Sequence, residues 1–562
     1  MALSIQINRV DTIFETIPAG TKIADIVASG GTAPYTYSLA TGNDNFQLNG
    51  TEVQVKTQMD IASIASFSVK VTDSTSATAT SKVVYPYIYS RIQNKFSKEN
   101  VIYKITRYYN LGNGVIELPA GCTLDFQGGS LNNGTVVGNQ TMIKGSGIKI
   151  FGSRFELVGT FQNRAFLASW FGAVSTGDAT IPLQTAITNA SQTKVNRVII
   201  DSLSLEISSS IYIPDSMVVG GERDASLAAW KSYTTPTITQ NGNAPIFIIG
   251  SNESGARDLY IHDLVLKGTK GTSGNNTHGI AAISSINLAN NTFENLWITN
   301  CVYGLYFDII EYGGITENRF INVSLLRNSI GFKVVGHVNE SGQYPWMNLN
   351  YFNLCYFNQN TIGGVSIDRI GTTQSNLFQT CNFENNGLNY LASDYNLEGC
   401  FGFYSTSVSG ICTFDNCYFE GNYPRINNII YDTINKEKEG NLVISNQPIV
   451  VTNSVISSCR QCVVVNINGS VTLKNNEYYL SSKLDNLSAD ALVLYNGIDN
   501  TARVALIIEE PLLRASYLSK PYDYSYSPTS SSSFYNSFVQ IKCPLFKEVD
   551  YQGMYPVAPH FY

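Results

Sequence analysis

The stretch NLFQTCNFENN, residues 376 to 386, is followed by a near copy, TFDNCYFEGN, at 413 to 422, and preceded by YFNLCYFNQN at 351 to 360. Aligned on their aromatic residues, the three read F-x-x-C-x-F-x-x-N: Phe352, Cys355, Phe357 and Asn360; Phe378, Cys381, Phe383 and Asn386; Phe414, Cys417, Phe419 and Asn422. Looser copies lie on either side. Upstream are Phe320, Val323, Leu325 and Asn328, then Phe293, Leu296 and Ile298, then Ile261, Leu264 and Leu266; downstream are Val451, Ser454 and Ile456, then Leu473, Asn476 and Tyr478. The anchors fall at 261, 293, 320, 352, 378, 414, 451 and 473, spacings of 32, 27, 32, 26, 36, 37 and 22. A helical repeat holds its length more tightly and carries a 3.6-residue period, whereas these units alternate with period two and place Gly and Asn at their corners.

The pattern therefore predicts a solenoid of strands, in which each coil keeps its strands and varies its loops. In a right-handed parallel β-helix the inward Phe, Cys, Leu and Ile of one coil stack on those of the next, about 4.8 Å away. Asn328, Asn360, Asn386 and Asn422 are register-equivalent, so their side chains are expected to bond up a ladder while their own backbone takes the left-handed corner. NSIG (328 to 331) and NTIG (360 to 363) then turn the chain into its next strand.

Composition agrees with a long repeat. The chain has 562 residues, 14% of them charged, against about 25% in ordinary globular proteins, so Asn, Ser, Thr, Gly and Tyr must cover the surface. Net charge is −7, and the absence of a basic patch excludes the electrostatic footprint of a nucleic-acid-binding protein. No apolar run reaches the length of a membrane span, and MALSIQINRVDTIFETIPAG lacks the basic and apolar regions of a signal peptide; the chain is expected to be made in the cytoplasm. Ten Cys and four His lack metal-type spacing. CRQC (459 to 462) has no second pair beside it, so neither a metal nor a cofactor is implied.

Residues 1–87 read differently: IQINRV, KIADIVAS, PYTYSLA, FQLNG, TEVQVKT, SFSVKVTDS and SKVVYPYI alternate and are punctuated by turn residues, which predicts a seven-strand β-sandwich. Asp44 and Asp73 are expected in its turns. Residues 88–165 read as a neck and opening coils, 166–495 as the main β-helix, and 496–562 as a Tyr-rich β region that orders against neighbouring chains.

APYTYSLATGNDNFQLNGTEVQV followed by FSVKVTD resembles Ig-like or cadherin-like modules of adhesins and phage structural proteins, without cadherin calcium motifs. LPAGCTLDFQGGSLNNGT resembles the opening coils of β-helix proteins of phages and gut-bacterial surfaces. WFGAVSTGDATIPLQTAITNAS (170 to 191) resembles the segment by which pectate-lyase-like phage tailspikes enter their main helix, with Leu183, Ala186, Ile187 and Ala190 on one face of a short helix and Asp178 ahead of it. The family's usual double Asp is absent here. The resemblance implies a homotrimeric virion protein, a tailspike or tail fibre, attached to other virion proteins by its N-terminal domain and directed at a bacterial surface glycan.

The outward positions between the core residues carry Trp297, Ser324, Tyr356, Asn382 and Tyr418. Exposed aromatic and amide side chains in a row suit sugar rings, the ring packing on C–H faces and the amide bonding hydroxyls; the alternative is a row covered by a loop or a partner chain. Glu384 and Glu420 occupy equivalent positions on adjacent coils, a spacing suited to the acid and nucleophile of a retaining glycosidase, or simply two solvated glutamates. A second acidic set, Asp308, Glu311 and Glu317 in FDIIEYGGITEN, reads as a loop between coils. Function is thus expected to be polysaccharide binding, with cleavage if either acidic set is catalytic; the alternative is a non-enzymatic head or tail fibre or decoration protein.

Overall fold

The computed structural model describes residues 2–9, 16–60, 66–84, 96–152, 154–222, 235–250, 255–269, 276–387, 400–407, 409–422, 425–426, 429–430, 440–444, 447–457, 463–465, 470–479, 491–495, 505–509, 520–524 and 538–542. CRQC (459 to 462) and most of the Tyr-rich end lie outside these residues. The chain divides into two compact units: Met1–Val174 with Ile181–Ser202, and Ser175–Thr180 with Leu203–Tyr562.

In the first unit, Ser4–Arg9, Lys22–Ser29, Glu52–Val55 and Phe46–Asn49 form one antiparallel sheet, and Thr36–Thr41, Ser68–Thr72 and Thr78–Thr80 another. Alternation turns Ile23, Ile26, Phe46, Val53 and Val55 of the first sheet and Val69 of the second, with neighbouring Phe67, into one core. Asp44 lies in a turn, and Asp73 opens one, its carbonyl accepting from the Ser76 N–H at 3.0 Å. The Asp73 carboxylate accepts from the backbone N–H of Thr32, Thr75 and Ala77, and these bonds, with the Thr75 hydroxyl, hold it below the usual carboxylate range. From Ile102 on, the strands become parallel: Ile102–Ile105 pairs with Thr123–Phe126, which pairs with part of Ser130–Gly145. The helix Thr180–Gln192 buries Leu183, Ala186, Ile187 and Ala190 together with Asn189. Asn189 accepts from the Leu157 N–H and tethers the helix to the strand Phe155–Phe161.

The second unit is a parallel β-helix. Ile261, Phe293, Phe320, Phe352, Phe378, Phe414, Val451 and Leu473 are successive Cα partners. A second column runs Leu325, Phe357, Phe383, Phe419, Ile456, Tyr478. The repeat is thus one coil, as its alternation predicts. Phe320, Phe352 and Phe378 stack face to face with centroids 4.4 and 4.3 Å apart, and Phe357, Phe383 and Phe419 at 4.8 Å; the coil spacing imposes this geometry on identical residues in register.

The asparagine ladder forms, with one correction. Asn360 donates from its backbone N and its Nδ2 to Asn386 Oδ1, while its own Oδ1 accepts from the Asn328 N–H; Asn386 does the same toward Asn422. The left-handed corner residue, however, is the one before each ladder Asn: Arg327, Gln359 and Asn385 have φ of 57°, 54° and 55°. The ladder side chain instead satisfies the inward N–H that such a corner leaves without a strand partner. A second ladder, Asn291, Asn318, Asn350 and Asn376, repeats the arrangement at another corner, again each after a left-handed residue. At a third corner Cys355, Cys381 and Cys417 donate their thiols to the carbonyls of Phe320, Phe352 and Phe378. These cysteines are polar participants as well as small core residues. Just beyond the first ladder, Gly331 stacks on Gly364 rather than on Gly363; a Cβ on Gly331 would sit 2.6 Å from the Gly364 carbonyl oxygen, so the NTIG turn carries one residue more than NSIG.

Asn360→Ala removes ladder bonds, leaving the N–H of Asn328 without its partner and the Leu325 carbonyl with one bond fewer; it is expected to cost about 1–3 kcal/mol for the stranded N–H, read as a lowered urea midpoint. Phe378→Ala empties part of the stacked column and is expected to cost about 3–5 kcal/mol. A loss below 1 kcal/mol for both would contradict the stacked core.

Candidate functional site

Outward residues of the same strands form rows by the same register. Trp297, Ser324, Tyr356, Asn382 and Tyr418 are consecutive Cα partners, as the repeat predicts. The row is not open, though: its aromatic and amide members are half-buried, and Ser324 is 1% exposed. Trp297 Nε1, Ser324 Oγ and Asn382 Oδ1 are buried without a hydrogen-bond partner. Unpaired buried polar atoms cost free energy, and three on one row mark it as a surface whose polar groups are not completed by the described residues of the chain. The Tyr418 hydroxyl donates to Glu420 Oε2 at 2.5 Å; burial first, and then this carboxylate, push the phenol up to about 12.

Glu384 and Glu420 are Cα partners on adjacent coils, so their backbones are about 4.8 Å apart. Both are half-buried. Glu384 Oε1 accepts from Asn385 Nδ2 at 2.6 Å, and Glu420 from Tyr418. Each carboxylate therefore keeps one oxygen outside these two bonds. Asp415 belongs to a different row, bonded to Thr452 and Asn453 at 2.9 Å, and the Asn453 amide first of all holds it below the usual carboxylate range.

The second acidic set lies in a strand and the corner after it, not in a loop. Asp308 and Glu311 lie in the continuous strand Tyr303–Thr316, because YGLYFDII alternates core residues Leu305, Phe307 and Ile309 with outward ones. The Glu311 side chain lies outside the described residues. Glu317 is the exposed left-handed corner that follows, φ 57°. Asp308 pairs with a partner the sequence reading did not connect to it: His337 Nε2 lies 2.6 Å from Asp308 Oδ1, the imidazole half exposed and the carboxylate sheltered.

Beside this pair, Tyr306, Lys333, Ser366 and Tyr404 form another outward row. Lys333 is 5% exposed; it donates to Ser366 Oγ at 3.1 Å and forms an ion pair with Asp368. Burial first, then the Asp308 charge, push the Tyr306 phenol up to about 12. His278 stacks on Tyr303 at 5.1 Å and packs tilted against Tyr306 at 4.8 Å, its Nδ1 unpartnered. Its position is 8% exposed, and burial pulls the imidazole down to about 4. The alternation F-K-V-V against V-S-I-D held the signal for the Lys333 and Asp368 faces; the aromatic repeat drew attention to the other side of the coil.

Asp178 binds Thr180 and Ser208; the Ser208 hydroxyl, followed by that of Thr180, pulls it down to about 2. It holds the entry to the helix. Among the described residues no group of three or more His, Cys, Asp or Glu is placed to hold a metal ion, and no helix is long and apolar enough to cross a membrane.

No family model matches the chain, and no curated protein matches it. Among solved structures, the chain is similar to the gp42 tailspike of Acinetobacter phage vb_AbaP_AS12, at 12% identity and a TM-score of 0.42, over 71% of this chain and 66% of that one, just under two thirds of its length. It is also similar to PfbA, a surface adhesin of Streptococcus pneumoniae (12% identity, TM-score 0.28, 63% and 96% covered), and to the pectate lyase Pel9A (14% identity, TM-score 0.20, 60% and 73% covered).

His278 generates a pH prediction. Its folded pKa of about 4 lies below the ordinary 6.5, so the unfolded chain binds the proton more readily and stability falls as pH drops from about 6.5 toward 4. The loss is expected to reach about 3 kcal/mol, and His278→Phe, which keeps an aromatic ring, should flatten that slope in urea unfolding across pH 4 to 7. An unchanged slope would remove His278 from the acid response.

Proposed function

We propose that this chain is a virion protein, a phage tailspike or tail fibre, that binds a bacterial surface polysaccharide along the outward row of its parallel β-helix. The single observation supporting the binding site is the row of Trp297, Ser324, Tyr356, Asn382 and Tyr418 with three buried polar atoms lacking partners. Aromatic faces spaced by the coil repeat can pack on successive pyranose rings, and modest adjustment of Asn382 and Trp297 would turn their unpaired groups to sugar hydroxyls. In this reading the assembly is a homotrimer, the N-terminal region 1–87 is an Ig-like attachment domain for other virion proteins, and the C-terminal region 496–562 completes the oligomer.

A second reading adds cleavage. Glu384 and Glu420 border the same row on adjacent coils, where one could protonate a leaving oxygen and the other attack the anomeric carbon. Without that chemistry the protein is a non-enzymatic head or tail fibre or decoration protein.

Purified protein incubated with capsular polysaccharides from a panel of bacteria, with binding and sugar size followed together, tests both. Tyr356→Ala and Tyr418→Ala are each expected to weaken binding about fivefold or more, the loss of over ~1 kcal/mol usual for a central aromatic. If fragments appear, Glu384→Gln and Glu420→Gln should abolish them and leave binding. Fragments that persist in both variants would dismiss the glutamate pair; binding that ignores both tyrosines would dismiss the row. A solution mass of one chain at micromolar concentration would contradict the trimer.

A further inference from the structure

A groove of about 720 Å³ runs over the outward side of a different part of the coils, lined by Thr292, Glu317, Arg319, Ile321, Leu349 and Tyr351 among others. Thr292, Arg319 and Tyr351 are successive Cα partners, so the groove crosses two rungs, about 9.6 Å, close to the length of a disaccharide. A left-handed corner, Asn295, Asn322 or Leu354 in the three coils, and the beginning of the Cys355 thiol column separate it from the Trp297–Tyr418 row.

Three features distinguish its floor. The Arg319 guanidinium and the Glu317 carboxylate are exposed and make no ion pair or side-chain hydrogen bond among the described residues. Glu294, on the rung before the lining residue Ile321, is by contrast engaged, accepting from the Tyr260 hydroxyl at 2.6 Å. The Tyr351 ring, on the next rung after Arg319, is fixed by a bond from its hydroxyl to Gln379 at 2.7 Å.

We propose that this groove is a saccharide subsite for an acidic sugar. Arg319 offers a planar fork that meets a carboxylate through two parallel N–H donors, which a neutral sugar cannot exploit. The rigid Tyr351 ring supplies a face for the sugar's C–H side, and Glu317 accepts from ring hydroxyls. A chain of net charge −7 repels a polyanion at a distance, so recognition of the carboxylate falls on this one guanidinium and weakens with salt. The inference shares the reading of the chain as a glycan binder but places a second, charge-selective contact on a separate face.

The test uses the full chain at pH 7 and three acidic oligosaccharides, bearing glucuronic, galacturonic or N-acetylneuraminic acid, each beside its carboxyl-reduced form, by titration calorimetry. At least one acidic form is expected to bind tenfold or more tightly than its reduced partner. Arg319→Gln should bring that ratio close to one, Arg319→Lys should retain part of it, and Tyr351→Leu should weaken both forms. Thermal unfolding of each variant confirms that it is folded. Absence of binding to all three acidic forms, equal affinity for reduced forms, or a ratio untouched by Arg319→Gln would overturn the subsite. Tyr356→Ala in the same assay separates the two sites: it should leave the carboxylate preference intact. If the preference holds while capsular polysaccharide binding ignores Tyr356, the row of the preceding section fails and the groove stands.

Discussion

Everything in the β-helix depends on satisfying backbone polar groups at the corners of a coil. Within strands the neighbouring coils do this automatically, but each left-handed corner turns an N–H or a carbonyl into the interior, where an unpaired group costs about 1–3 kcal/mol. The chain answers with side chains that copy the strand ladder: asparagines at two corners and cysteine thiols, giving way to Ser454 and Asn476, at a third. Because each ladder residue must sit over its counterpart, the corners fix the register of everything between them. The stacked phenylalanines and the outward rows inherit that register.

This explains why the architecture was legible. An amide ladder and a ring column both require the same residue at the same place in consecutive coils, so the constraint is written as a repeat, and the anchors read from sequence are the Cα partners seen in the structure. The second asparagine ladder was equally written, as N-T-F, N-R-F, N-Y-F and N-L-F, but Asn two residues before Phe falls outside the motif that begins at the Phe. The ladder Asn, not the residue before it, draws the eye as the corner because Arg327 and Gln359 are unremarkable in sequence and Asn385 stands directly beside another Asn; any residue can be held left-handed when the ladders on both sides determine it.

The candidate site was half legible. Register alone puts Tyr356, Asn382 and Tyr418 in one row and Glu384 beside Glu420. It says nothing of depth, and Ser324, between Trp297 and Tyr356 in the row, is buried rather than open to solvent. Pairings such as Asp308 with His337 and Lys333 with Asp368 join residues 29 and 35 positions apart through outward side chains, where no repeat advertises them. Taking FDIIEYGGITEN for a loop followed from its glycines and acids, but alternation of Leu305, Phe307 and Ile309 into the core decides for a strand.

The register of the outward row is the claim on which the functional account turns, and disulfide trapping tests it directly. Asn382 and Tyr418 are Cα partners, about 4.8 Å apart and inside the usual disulfide range of about 4.4–6.8 Å. Under mild oxidation the pair Asn382→Cys with Tyr418→Cys should cross-link within one chain, while Asn382→Cys with Glu420→Cys, two residues out of register, should not. Equal cross-linking of both pairs, or of the second alone, would contradict the stacked row and every site built on it.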